Sequence, residues 1–331
     1  MKVVMTLIVR DEADIVDDHI RYHLEAGVDF VVATDHRSAD ATTEILQRYE
    51  REGHLKFIRE LGEAYRQSEW VTRMARLAAT EFGADWVINS DADEFWWPRI
   101  GTLRDVLSAV PARFGAIRGT WRHFVLRPDA AAPFFERMTV RRAPSLDVTN
   151  PYCANAKVVH RGRADVTVVP GNHDARGPGL LLLREWVPFE VFHFPIRGRE
   201  QLERKYPAFG ASYELAGKRF LPRHVAAIAS GLRANAEDVY RTFLVDDVSL
   251  EDGLDDGTLA IDTRLRDRLR GEAPERPTSL EDDLAFAEEV DAMLSLDSAH
   301  RLATRVDSFN RRLAAVEARR RRAFPRRRRP V

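Results

Sequence analysis

The sequence predicts an α/β protein: a mixed, mainly parallel sheet flanked by helices, with a helical C-terminal extension. Two observations lead there. Between Val3 and Ser90, four apolar runs alternate with three amphipathic stretches at the spacing of βαβ units. The runs also close on acidic or polar residues, Asp11-Glu12, Asp35 and Asp91-Ala92-Asp93. An open α/β sheet holds its ligands just beyond such carboxyl ends.

The elements follow in order. Residues 3–9 are a continuous β-branched run, as in a central strand buried on both faces. A helix is expected over 12–26, with Val16, Ile20 and Leu24 forming its stripe and Gly27 its stop. A strand over 28–34, a helix over 42–51, a strand over 55–61 and a helix over 68–82 come next. The fourth strand, Trp86 to Ile88, breaks into the acidic turn Asp91-Ala92-Asp93-Glu94 and three aromatics. Beyond Pro98 the pattern reads as a helix over 103–110 and strands over 116–126, 134–142, 155–160, 166–169 and 190–194. From residue 198 helices dominate, over 199–215, 224–244, 280–296 and 299–323, with 246–257 an acidic, glycine-containing linker. The expected division is a main domain over 1–250, a helical extension over 251–318 and a disordered arginine-rich tail over 319–331.

Composition narrows the class. Charged residues make up 31% and hydrophobic residues 44%, as in an ordinary soluble protein with a full core. The single cysteine, Cys153, rules out an internal disulfide and a cysteine-rich zinc cluster, and it suits a reducing cytoplasm. The first ten residues are too short an apolar run for a signal peptide, and no stretch has the roughly 18 apolar residues of a membrane span. The net charge of -1 hides eight arginines between Arg319 and Arg329, so the rest of the chain is acidic. Such a tail fits a peripheral contact with anionic lipid at the inner membrane face; nucleic acid is the less favoured partner.

The glycine pattern excludes two phosphate-binding devices. No Gly-x-Gly-x-x-Gly follows the first strand and no Walker loop is present. Phosphate would instead be held through a metal. Oxygen ligands on a short turn suit Mg²⁺ or Mn²⁺, which carry phosphates in their coordination shell, and Asp91 and Asp93 stand where such a cation could hold a diphosphate. Taken alone, the motif reads more readily as a solvated acidic turn, which is commonplace after a strand.

Four segments together resemble the family-2-like glycosyltransferases with a GT-A fold, in the branch with an Asp-x-Asp-Glu-Phe motif. They are Val9-Arg10-Asp11-Glu12, the stretch from Thr34 to Thr42 with its Asp-x-x-Ser-x-Asp-x-Thr pattern, Asp91-Ala92-Asp93-Glu94-Phe95, and His193-Phe194-Pro195-Ile196-Arg197 followed by Glu200, Gln201 and Lys205. They span residues 1–205; the helical end beyond 250 matches nothing nameable. The resemblance implies the Rossmann-like nucleotide-diphospho-sugar transferase architecture. It also implies transfer of a sugar, with inversion, from a nucleotide-sugar donor (a UDP-sugar being the first choice) to a hydroxyl of a glycan, lipid or protein. A divalent cation would neutralise the leaving diphosphate, and a base would take the acceptor's proton.

Roles follow residue by residue. Asp91 and Asp93 are the expected metal ligands, with His193 a third ligand or a diphosphate contact. Arg10, Asp11, Glu12, Asp35, Arg73 and Arg197 are the expected donor-binding residues. For Asp35 a turn cap is the competing role, and for Asp11 and Glu12 complementing the helix dipole. Asp174 is the preferred catalytic base and Glu185 its competitor. Trp96, Lys157 and His173 are placed on the acceptor side, although Trp96 reads equally as core. Two other functions compete. An Asp-x-Asp phosphatase or phosphotransferase is disfavoured by Phe95 and by the motif's place after the fourth strand. A non-catalytic nucleotide-sugar binding protein would bind donor without turnover.

Overall fold

The computed structural model describes residues 1–128, 132–144, 155–215, 223–272 and 286–295. Contacts divide the chain into a unit over Met1–Pro277 and a second over Thr278–Val331, in which residues 286–295 are helical.

The first half of the large unit runs β1 (Val3–Val9), α1 (Val16–Glu25), β2 (Phe30–His36), α2 (Thr42–Arg51), β3 (Leu55–Glu60), α3 (Gln67–Thr80), β4 (Trp86–Asp91) and β5 (Glu94–Pro98). Then come α4 (Leu103–Ala109), β6 (Ala116–His123), α5 (Phe134–Arg137), β7 (Val140–Arg142), β8 (Ala156–Arg161), β9 (Thr167–Val168), a 3-10 turn (Pro170–Asn172), β10 (Ala175–Arg176) and β11 (Phe189–His193). The last elements are α6 (Arg199–Leu215), α7 (Arg223–Ala234), α8 (Ala236–Phe243), α9 (Asp247–Asp255), β12 (Leu259–Ile261) and α10 (Arg264–Leu269).

Eight strands form one mixed sheet in the order β3-β2-β1-β4-β8-β6-β11-β5. The first four are mutually parallel, β8 runs antiparallel between β4 and β6, β11 is parallel to β6, and β5 closes the edge antiparallel to β11. The unbroken apolar run of β1 has a simple cause. Val3, Met5, Leu7 and Val9 face one core layer with Ile15, Val16 and Ile20, while Val4 and Ile8 face the other with Trp70, Val71 and Met74. Fully burying each such side chain is worth roughly 1.5–3 kcal/mol.

The expected main-chain pattern holds through β4, apart from α1 starting at Val16 after a turn at its predicted first residues. Four differences lie downstream. The aromatic run after the acidic turn is itself a strand, β5. Residues 134–142 form α5 and the short β7 rather than one strand, since Pro133 opens a helical turn whose Phe134 packs into the core. The single helix expected over 224–244 is two, α7 and α8, because Asn235 takes an extended conformation and its side chain caps Glu237 and Asp238. The expected linker 246–257 contains α9, capped by Asp246. Consequently the boundary expected near 250 falls inside a helix. Residues 259–269 return to the large unit, where β12 pairs with β7. The helix expected over 299–323 and the arginine tail lie outside the described residues.

A ladder of buried ions ties that returning segment to the sheet. Glu190 on β11 accepts from Arg122 on β6 at 2.6 Å and from Arg264 on α10 at 2.6 Å, and Arg264 also bridges to Asp262 at 2.7 Å. Burial raises the cost of the Glu190 charge, but Arg122 and Arg264 outweigh it and hold its pKa down at about 2. A depressed carboxylate pKa contributes stability above the unfolded value and loses it as pH falls through the folded one. Glu190 therefore contributes on the order of 3 kcal/mol above about pH 4.5, lost towards pH 2. In urea unfolding, the stability gap between wild type and Glu190→Gln should narrow over that window; a gap independent of pH would refute the ladder's role. A steric prediction stands beside it. A Cβ at Gly162 would sit 1.8 Å from the carbonyl oxygen of Ala84. Gly162→Ala should cost at least about 2 kcal/mol in the same measurement, as overpacking against backbone does.

Candidate active site

Strand directions bring the chemical groups to one edge of the sheet. In the parallel β1–β4 pair Ile8 lies beside Asp91, so Arg10 to Glu12 and Asp91 to Asp93 emerge together. Because β8 runs the other way, its first residues, including Lys157, reach that same edge. Strands β6 and β11 deliver His123 and His193 there in register. A cavity of about 460 Å³ opens at this edge, and Arg10, Glu12, Gln67, Asp91, Asp93, Trp121, His123, Lys157, His173, His193 and Lys205 help to line it.

Its floor is a set of buried carboxylates, two of which share each lysine. Lys157 Nζ lies 2.9 Å from Asp91 Oδ2 and 2.7 Å from Glu94 Oε1, and above the Trp121 ring at 4.8 Å. Lys205 Nζ lies 2.7 Å from Glu12 Oε1 and 2.9 Å from Asp93 Oδ2. Burial opposes both ammonium charges, yet the flanking carboxylates outweigh it and keep both lysines protonated. Burial likewise opposes ionisation of Asp93, but Lys205 and Arg197 hold its carboxyl below the ordinary range. Glu94 goes the other way: burial, with Asp91 and Asp93 nearby, pushes it up to about 8 against the pull of Lys157. Trp121 Nε1 and the backbone N–H of Asp91 also donate to Glu94, which fixes the acidic turn.

Three histidines face the cavity. His193 stacks on Trp121 with centroids 4.6 Å apart, and its Nδ1 shares a 3.0 Å hydrogen bond with His123 Nδ1. Burial holds His193 and His123 neutral, His123 down at about 4. His173 is also lowered to about 4, by burial and then by Lys157, and its Nδ1 donates to the Ala156 carbonyl at 2.9 Å.

A divalent cation fits these residues. His193 Nε2 and Asp93 Oδ1 face each other across 3.8 Å, a gap that an ion roughly 2.0–2.2 Å from each would span. When His193 Nδ1 donates to His123, Nε2 presents a lone pair to that gap. On the cavity lining Glu12, Asp91 and Asp93 are matched by Arg10, Lys157 and Lys205. Among the described residues no group of three or more His, Cys, Asp or Glu could hold a metal. The remaining coordination would come from phosphate oxygens and water, as Mg²⁺ usually has it.

The expected site residues divide. Asp91, Asp93, His193, Arg10, Glu12, Lys157 and His173 converge on the cavity; Lys157, expected on the acceptor side, is spent on Asp91 and Glu94. The others do not line it. Asp35 is fully buried, accepting from the Ser38 backbone and the Thr43 hydroxyl, and Asp11 accepts from the Ala39 backbone, so both build the loop after β2. Arg197 is buried between Glu12 and Asp14 and holds Glu12 in place rather than facing a ligand. Arg73 pairs on the outside of α3 with Glu60. Trp96 is core, fully buried against Phe189. Asp174 accepts from the Ala175 backbone within the β9–β10 turn, and Glu185 is exposed. Trp121, His123 and Gln67 are site residues that were not singled out, and Glu94 and Lys205 were quoted only as members of the motif segments. The period of two in β6, which sets Trp121 and His123 on one face, was the available signal for that pair.

Removing a buried cation leaves its carboxylates uncompensated, typically at a cost of 3–5 kcal/mol. Lys157→Met should therefore lower unfolding stability by about 3–5 kcal/mol at pH 8, measured in urea. A loss below about 1 kcal/mol would mean that Asp91 and Glu94 do not depend on it.

Comparison with known proteins places the segment that builds most of this floor. No curated protein matches the chain. Among solved structures it is similar to S. aureus TarS 1-349 in complex with UDP, at 13% identity and a TM-score of 0.35, covering 92% of each chain. It is similar to the same protein in complex with UDP-GlcNAc at 12% identity and a TM-score of 0.37, again covering 92% of each. Glucosyl-3-phosphoglycerate synthase from Mycobacterium tuberculosis, in complex with Mn²⁺, UDP and glucosyl-3-phosphoglycerate, is 20% identical over 37% of this chain and 44% of that one, with a TM-score of 0.28. Residues 4–165, just under half of the chain, match the family model of glycosyltransferase family 92, so this α/β sheet carries a glycosyltransferase domain.

Proposed function

We propose that the protein transfers a sugar from a nucleotide-diphosphate sugar, a UDP-sugar by preference, to an acceptor hydroxyl, using Mn²⁺ or Mg²⁺. The observation that carries this is the cavity floor: Asp91 and Asp93 at a strand end, Lys157 between Asp91 and Glu94, Lys205 between Glu12 and Asp93, and His193 Nε2 facing Asp93 Oδ1. Asp93 and His193 would hold the metal, which neutralises the charge developing on the leaving diphosphate. Lys205 and Arg197 keep Asp93 ionised, and Lys157 fixes the orientation of Asp91. Arg10, whose Nη1 donates to Ser212, lines the cavity beside β1 and would face the nucleotide.

The acceptor hydroxyl attacks the anomeric carbon in one displacement, which inverts that centre. With Asp174 and Glu185 off the cavity, the base role passes to His173. It is neutral at pH 7, and donation from Nδ1 to Ala156 leaves Nε2 to accept a proton. Calorimetric titration of UDP should show Mn²⁺-dependent binding, weakened at least tenfold by EDTA or by Asp93→Asn. UDP affinity equal with and without EDTA would remove the metal from the reading. His173→Gln should keep that affinity and lose about 10²-fold or more in turnover with acceptor; unchanged turnover would return the base role to another group.

A further inference from the structure

The cavity has two unlike sides. Beyond the charged floor its lining is apolar: Pro195 and Ile196 after β11, Phe209 on α6, Ala227 and Ile228 on α7, and Phe243 at the end of α8. These are not stray surface hydrophobics. Ile196 and Leu202 anchor a cluster in which Tyr206, Ile228, Leu232, Val239 and Phe243 pack, so α6, α7 and α8 exist as a layer whose inner face completes the cavity. The apolar surface also continues. A second, small cavity shares Pro195, Ile196 and Phe243 with the first and runs on to Phe124, Val125 and Leu126.

Neither a sugar hydroxyl nor a diphosphate gains from such a wall, because both would lose hydrogen bonds to water and find few partners there. We propose that the apolar wall is the acceptor subsite and that the acceptor carries its hydroxyl on an apolar aglycone, an alkyl chain running along Ile196, Ile228 and Phe243. This rests on the glycosyltransferase reading above, with the donor on the charged floor. It makes the acceptor an amphiphile: its polar head meets the floor near His173 and its tail leaves along the wall.

The probes are n-alkyl β-D-glucosides kept below their micellar concentrations, with free glucose as the control, titrated calorimetrically into the full chain with UDP and Mn²⁺ present. The expected result is binding of hexyl and octyl glucoside with no detectable binding of glucose. Affinity should rise roughly fourfold per added methylene between the butyl and hexyl glucosides, the increment for burying a methylene. Ala227 is exposed and small, so Ala227→Glu places a carboxylate on the wall without removing packing. It should weaken octyl glucoside at least tenfold while UDP affinity stays within twofold. Phe243→Ser is the second variant, checked for fold by its urea midpoint, and should act in the same direction. Octyl glucoside affinity equal in wild type and Ala227→Glu, no dependence on chain length, or displacement of the glucoside by UDP would each overturn the proposal. Failure of UDP to bind while the glucosides still bind with chain-length dependence would instead count against the donor reading and leave the wall as an apolar-ligand site.

Discussion

Compensation of buried carboxylates is the constraint on which the rest of this molecule depends. Glu12, Asp93 and Glu94 are buried at one sheet edge beside the half-buried Asp91, where charge left unpaired would cost several kcal/mol per buried group. Three cations answer them: Lys157 between Asp91 and Glu94, Lys205 between Glu12 and Asp93, and Arg197 on Glu12. Each comes from a different element, β8, α6 and the turn after β11. The strand order is what allows this, since an antiparallel β8 beside β4 is needed to start at the edge where β4 ends.

The same logic separates the positions that hold the site from those that meet a ligand. Asp11, Asp35 and Arg197 have every appearance of binding residues in a linear reading, being charged and next to strand ends. Their oxygens and nitrogens are already committed to Ala39, Ser38, Thr43, Glu12 and Asp14. They act by shaping the loops that carry Arg10 and Glu12. On the opposite side of the sheet edge, Trp121 is the common surface for Lys157, His173 and His193, and it sets the spacing between the ammonium and the two rings.

Much of the fold was legible in the sequence, for reasons that can be assigned. β1, β2 and β4 are short runs buried on both faces, and with the half-exposed edge strand β3 their period and length admit little else. The acidic turn at Asp91 was legible because its strand was. Legibility fell where local pattern competes with context. Residues 134–142 carry strand-like composition, yet Pro133 starts a helical turn. Residues 246–257 look like a linker, yet Asp246 caps a helix there. Trp96 sits beside the acidic turn in sequence but alternates inward to Phe189. Lys157 and Lys205 could be quoted as basic residues, but their pairing depends on strand directions between segments more than 60 positions apart, which no local pattern carries.

That separation has a consequence for how the chain folds. When β1 to β5 have been synthesised, the acidic edge already exists but Lys157, Arg197 and Lys205 have yet to leave the ribosome. A half-built sheet would therefore bury charge without its partners, and the favourable course is for this edge to stay open and hydrated until α6 arrives. Assembly of this acidic edge thus becomes a late, long-range closure step, slow in the manner of non-local contacts. The β4–β5 turn would be the last part of the central sheet to lose its water.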